Sequence, residues 1–209
     1  MYEHALGRVA IATVCGAAMT ANADIIHTDI EDVVLVGASW TDEETYFVDF
    51  NHDGADEVLL TAWFDTAGGS GGPEAQAYGL DHSHLLHSLT TNVAYMAFAD
   101  ELIGPANSDQ EYTTATSIDK DWLDLPPDQG AYLGVRFALG DQNHYGWIRL
   151  STYIDEPNDY AMVMTVFEFA YETRADTPIP AGAVPAPGGL AALAVGAAAM
   201  LRRQRPAGR

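Results

Sequence analysis

Between residues 24 and 176 the apolar positions come in runs of strand length, some alternating and some continuous, interrupted by Gly, Asn, Asp and Pro. Helical spacing is rare there. The pattern predicts strands at Val33–Val36, Thr45–Phe50, Val58–Phe64, Ala94–Phe98, Tyr132–Leu139, Tyr145–Thr152 and Ala161–Tyr171. The clearest hairpin surrounds Gly140-Asp141-Gln142-Asn143. Pairing Leu139 with His144 sets Leu133, Val135 and Phe137 against Leu150, Ile148 and Gly146 on one face. Arg136 then faces Trp147 on the other, a cation–π pair of about 0.5–1 kcal/mol if exposed. Ala161–Tyr171 is apolar on both faces and predicts a central strand. The expected fold class is all-β, an antiparallel two-sheet sandwich or jelly roll over 24–176. An N-terminal signal-peptide helix and a short C-terminal apolar helix should flank it, and no internal repeat is apparent.

The two ends are built differently. Residues 1–23 carry a short polar start closed by Arg8, an apolar run Val9–Met19, and Ala21-Asn22-Ala23 just before Asp24. That is the layout of a secretory signal peptide cleaved after Ala23, with Ala21 and Ala23 as the small residues of the site. A buried N-terminal helix is the alternative, and it leaves the abrupt change of composition at Asp24 unexplained. The single cysteine, Cys15, falls inside the removed segment, so the mature chain has no disulfide framework.

At the other end, Thr177 to Pro187 reads as a stiff Pro-rich linker, followed by the apolar stretch Gly188–Leu201 and a basic tail, 202–209, with Arg202, Arg203 and Arg205. Those apolar residues span only about 21 Å as a helix, short of the roughly 30 Å hydrocarbon core, so the association with the membrane should be transient. The basic cluster stays cytoplasmic by the positive-inside rule, placing everything before it outside, where the signal peptide also sends it.

Val184-Pro185-Ala186-Pro187, the short apolar helix and the terminal Arg cluster together resemble the PEP-CTERM sorting signal. The resemblance covers about the last 26 residues, with Ala186 standing where the middle Glu is usual. It implies delivery to the bacterial envelope, cell surface or extracellular space, and recognition by an exosortase-like membrane protease of exopolysaccharide-producing bacteria. The segment 130–183 also resembles the C-terminal sheet of many proteins that carry this signal. An ordinary weak C-terminal anchor is the plainer alternative.

Charge narrows the partners. Nine Lys+Arg stand against thirty Asp+Glu, for a formal net charge of -21. Between Asp24 and Ala183 four basic residues face twenty-nine acids, a net charge of -25. Nucleic acid is excluded as a partner, since binding it needs clustered basic residues. An extracellular polysaccharide partner would have to be neutral, or bridged by divalent cations.

One stretch specifies chemistry: Asp49-Phe50-Asn51-His52-Asp53-Gly54-Ala55-Asp56-Glu57. Oxygen donors at loop positions 1, 3, 5 and 9 (Asp49, Asn51, Asp53, Glu57), with Gly at 6 for the bend and the Ala55 carbonyl available, can converge on one hard cation. Ca2+ fits better than a softer metal. The spacing resembles the integrin-type FG-GAP calcium loop, which implies that these residues are the ligands. It departs from an EF-hand, whose twelfth position needs a bidentate acid and is Leu60 here. The alternative is a solvated Asp-Gly hairpin turn without an ion.

Weaker candidates remain. His82, His84 and His87 could suggest a transition metal, but no single conformation aligns all three. Trp40, Trp63, Trp122 and Trp147 could form a sugar-stacking platform or simply pack in the core. No nucleophile elbow, H-E-x-x-H helix or P-loop occurs. The expectation is a secreted, non-enzymatic, structural or adhesive envelope protein stabilised by calcium. A carbohydrate-binding module or a jelly-roll carbohydrate-active enzyme is the rival.

Overall fold

The computed structural model describes residues 25–38, 43–64, 72–106, 109–118, 130–155 and 161–185. Among them there are thirteen strands and no helix, so this part of the chain is all-β. They are β1 (Ile25–Gly37), β2 (Glu44–Val48), β3 (Val58–Phe64), β4 (Pro73–Gly79), β5 (His84–Ser88), β6 (Met96–Ala97), β7 (Leu102–Ile103), β8 (Gln110–Thr113), β9 (Ala115–Ser117), β10 (Ala131–Leu139), β11 (Gln142–Asp155), β12 (Ala161–Glu172) and β13 (Ile179–Pro180). All pairings are antiparallel. The signal peptide with Ala21 and Ala23, the apolar segment 188–201, Arg202, Arg203 and Arg205, the motif residues Ala186 and Pro187, and Trp40 and Trp122 lie outside the described residues. Among the described residues no helix is long and apolar enough to cross a membrane.

A seven-stranded sheet runs β1-β12-β11-β10-β5-β8, with β6 also on β10, and a four-stranded sheet runs β2-β3-β4-β9. Period-two alternation explains how they meet. Val58, Leu60 and Ala62 of β3 and Ala75 and Ala77 of β4 share one buried cluster with Leu133, Val135 and Phe137 of β10 and Met164 and Val166 of β12. A smaller cluster, Ala97, Ile103, Tyr145, Trp147, Ala170, Ile179 and Ala181, gathers where β7 and β13 form a two-stranded sheet. β12 is paired on both sides and buried along most of both faces, as its apolar sequence requires.

The hairpin differs from expectation in register. Leu139 pairs with Gln142, and Leu133, Val135 and Phe137 face Ile148, Gly146 and His144. The turn is only Gly140-Asp141. Gly140, at φ +61°, takes the left-handed conformation that a tight hairpin turn needs, which a four-residue connection would not require. The slip is two residues, so every side chain keeps its face. Partners nevertheless change: Arg136 lies opposite Tyr145, with its guanidinium 4.6 Å from the centre of the Tyr112 ring, and Trp147 lies opposite Gly134.

The Pro-rich segment is only partly a linker. Ile179 pairs with Ile103 and is fully buried, and the Ala181 N–H donates to the Glu101 carbonyl at 2.8 Å. The packed body therefore continues past residue 176 to about Ala183, because Ile179 and Ala181 supply apolar surface that the cluster around Trp147 needs. Of the sorting motif, Val184 and Pro185 are exposed at the end of the described residues.

Candidate metal centre

The loop Asp49–Glu57 connects β2 to β3, whose facing ends are Val48 and Val58. The strand expected to reach Phe50 ends at Val48, and Phe50 belongs to the loop. Phe50 is fully buried. Its ring stacks on Phe137 at 5.0 Å and meets Phe169 and Tyr171 edge-on at 5.3 and 6.4 Å. An aromatic anchored this way pulls the start of the loop into the core, and the acids on either side of it must fold back over the anchor. His52, at φ +59°, ties the loop to β1 through Nε2, 3.1 Å from Thr28 Oγ1. Gly54, at φ +91°, makes the sharp bend that a side chain would resist.

Backbone donors hold the acids. The Gly54 N–H donates to Asp49 Oδ2 at 2.9 Å, the Asp53 N–H to Asn51 Oδ1 at 2.8 Å, and the Ala55 N–H to Asp53 Oδ1 at 2.8 Å. Glu57 Oε2 accepts from the Phe50 N–H at 2.7 Å, and the Glu57 N–H closes the loop onto the Val48 carbonyl at 2.9 Å. Asp49, Asp53 and Glu57 then each present one oxygen within 4.8 Å of the others. Asn51 is tied to two of these acids, its Oδ1 accepting from the Asp53 N–H and its Nδ2 donating to Glu57 Oε1 at 3.2 Å. Ala55 is exposed and joins the loop through its N–H.

The electrostatics are strained. Glu57 is only 6% exposed. Burial pushes its carboxyl up from the ordinary range to about 7, Asp49 and Asp53 add to the rise by repulsion, and the Phe50 N–H opposes it. Asp49 Oδ1 is buried without a hydrogen-bond partner. The ion pairs among the described residues, His27–Glu168, His87–Glu111 and Arg149–Glu168, all lie elsewhere. A cation would answer each of these features. Oxygens bound to one calcium ion at roughly 2.3–2.6 Å lie within about 5 Å of each other, a condition that the 4.8 Å spread meets. An all-oxygen donor set selects a hard ion over zinc.

The other candidates do not converge. His82 sits in a turn at φ +69°, whereas His84 and His87 lie in β5 at an odd spacing that sends them to opposite faces. Trp147 is fully buried and Trp63 is half-buried, its Nε1–H donating to Glu74 Oε2 at 3.3 Å, so these two do not form an exposed platform. Phe50 and His52, which hold the loop in place, went unmarked in the sequence. The signal for Phe50 was a large apolar residue set between two polar loop positions. Compared with protein-family models, with curated proteins and with solved structures, the chain matches none.

Proposed function

We propose that the chain is an exported, non-enzymatic two-sheet β-sandwich protein, stabilised by calcium and structural or adhesive at the cell envelope or in the extracellular matrix. Export rests on the signal peptide, and sorting rests on Val184-Pro185-Ala186-Pro187 with the apolar and basic segments after it, handled by an exosortase-like membrane protease. The sandwich reading is supported by the single cluster that the two larger sheets bury between them. The observation that carries the calcium reading is the gathering of Asp49, Asp53 and buried Glu57 in a loop whose residues 49–57 include no Lys or Arg. Asp49, Asp53 and Glu57 hold the ion in this reading, and binding joins β2 to β3 more firmly.

The test is calorimetry in calcium and in chelator. An ion that binds only the folded state stabilises it by about 2.7 kcal/mol at a hundredfold excess over Kd. For a domain of this size the melting temperature should rise by roughly 5–10 °C. Asp49→Asn with Asp53→Asn should abolish the rise, and identical melting of the natural chain in calcium and chelator would sink the reading. Export is checked separately by mass spectrometry, which should find Asp24 at the mature N-terminus.

A further inference from the structure

The opposite edge of the four-stranded sheet holds a second polar site. β8 ends at Thr113 and β9 begins at Ala115, so the chain passes from one sheet to the other through Thr114 alone, whose carbonyl accepts from the Gly79 N–H at 2.8 Å. Two sheet edges are thereby held side by side. A cleft of about 370 Å³ opens there, lined by Gln76 of β4, His87 of β5, Glu111 of β8, Thr116 and Ser117 of β9, and Asn92 of the turn after β5. Its size is at the lower end of the roughly 300–1,000 Å³ typical of small-molecule sites, and suits a molecule as large as one sugar ring.

His87 supplies the second observation. It pairs in register with Glu111 and is 8% exposed, yet its Nδ1 has no hydrogen-bond partner, and the Glu111 Oε1 atom stands 3.5 Å away. A buried imidazole nitrogen is normally satisfied. The Glu111 side chain is 54% exposed, so a ligand can reach this carboxylate with His87 behind it. The Thr116 hydroxyl faces the Ser117 carbonyl at 3.4 Å, which leaves its oxygen free to accept.

The chemistry of the lining defines the ligand. Amides and hydroxyls both donate and accept, the carboxylate accepts, and among the described residues no Lys or Arg lines the cleft. We infer that the cleft between β8 and β9 binds a neutral, hydroxyl-rich ligand, a sugar unit, with Glu111 accepting from its hydroxyls and His87 positioning Glu111. A hydroxyl that draws the carboxylate inward closes the gap to Nδ1. An anionic sugar is refused, because no basic side chain among the described lining residues offsets its charge against Glu111. This goes beyond the calcium reading and does not depend on it.

The test is an NMR titration of the His87 ring nitrogens in the full-length chain with glucose, galactose, mannose, N-acetylglucosamine and glycerol, and with glucuronate for comparison. At least one neutral sugar should give a saturable shift in the millimolar range, since no aromatic face lines the cleft among the described residues. Glycerol should bind more weakly and glucuronate not at all. Chelator should leave the sugar response unchanged, which separates this test from that of the calcium loop. Glu111→Gln should weaken the sugar about tenfold or more and admit glucuronate, and Ser117→Trp should fill the cleft and abolish binding. The exposed Glu111 substitution keeps the test decisive even if Ser117→Trp does not fold. No saturable shift with any neutral sugar, glucuronate binding as well as they do, or sugar binding indifferent to Glu111→Gln would each overturn the inference.

Discussion

Gly140-Asp141 turns β10 into β11 in two residues, whereas Asp49–Glu57 takes nine to turn β2 into β3, although Asp, Asn, His and Gly punctuate both regions. In the first, ladder bonds run to the last pair, Leu139 with Gln142, and Asp141 points into solvent. In the second, Phe50 is buried between polar neighbours, and the chain must loop around it. A carboxylate at a tight turn stays hydrated. One folded back over a buried ring loses water, meets other carboxylates, and becomes a group whose protonation or metal binding the fold controls.

The largest effect expected from breaking this contrast comes from the anchor. Phe50→Ala should cost about 3–5 kcal/mol in denaturant unfolding and should also remove the calcium response, because the acids lose the feature that gathers them. If calcium still raises the melting point by the same amount, the anchor does not organise the site. Next comes pH. The folded carboxyl of Glu57 titrates near 7, above its ordinary value of 4.5. The folded state therefore holds the proton more tightly, and without calcium its advantage is present below about pH 4.5 and lost as pH rises through about 7. The loss is on the order of 3 kcal/mol. Unfolding of the natural chain in chelator across that window, compared with Glu57→Gln, measures it; equal slopes in the two proteins refute the assignment. Calcium should reverse the slope by taking the place of the proton.

The tight turn should respond through its backbone alone. Gly140→Ala forces a side chain into the left-handed region and should cost about 1–2 kcal/mol, leaving the calcium shift intact. The smallest effect belongs to Asp141→Asn, within about 0.5 kcal/mol and silent to calcium. A calcium shift that depended on Asp141 would erase the distinction between the two connections.

The same contrast explains what the sequence makes legible. Val58–Phe64 is bounded by polar residues and coincides with β3, and the doubly apolar Ala161–Tyr171 lies in the interior of its sheet. β1 runs far beyond Val33–Val36, but Asp29, Glu31 and Asp32 interrupt its alternation where the register shifts against β12. β4 opens with Pro73 and has only Tyr78 as a large side chain, and β5 carries two of the three histidines that suggested a ligand cluster. In the loop, the spacing of Asp49, Asp53 and Glu57 was readable. The burial of Phe50 was not, since it depends on Phe137, Phe169 and Tyr171, which are distant in sequence.

The docking of β13 has a mechanical consequence. Force applied at Pro185 reaches the domain through Ile179 and Pro180, a two-residue ladder, before it reaches β12, which is clamped on both sides. A short ladder unzips at lower load than a strand held along its whole length. The segment from Ile179 to Ala183 should therefore lift first, uncovering Trp147 while the sheets stay folded. Single-molecule pulling from the C-terminal end should record a small early extension before global rupture, and Ile179→Ala should lower the load at which it occurs. A single rupture with no earlier step would show that the strap and the sheets yield together.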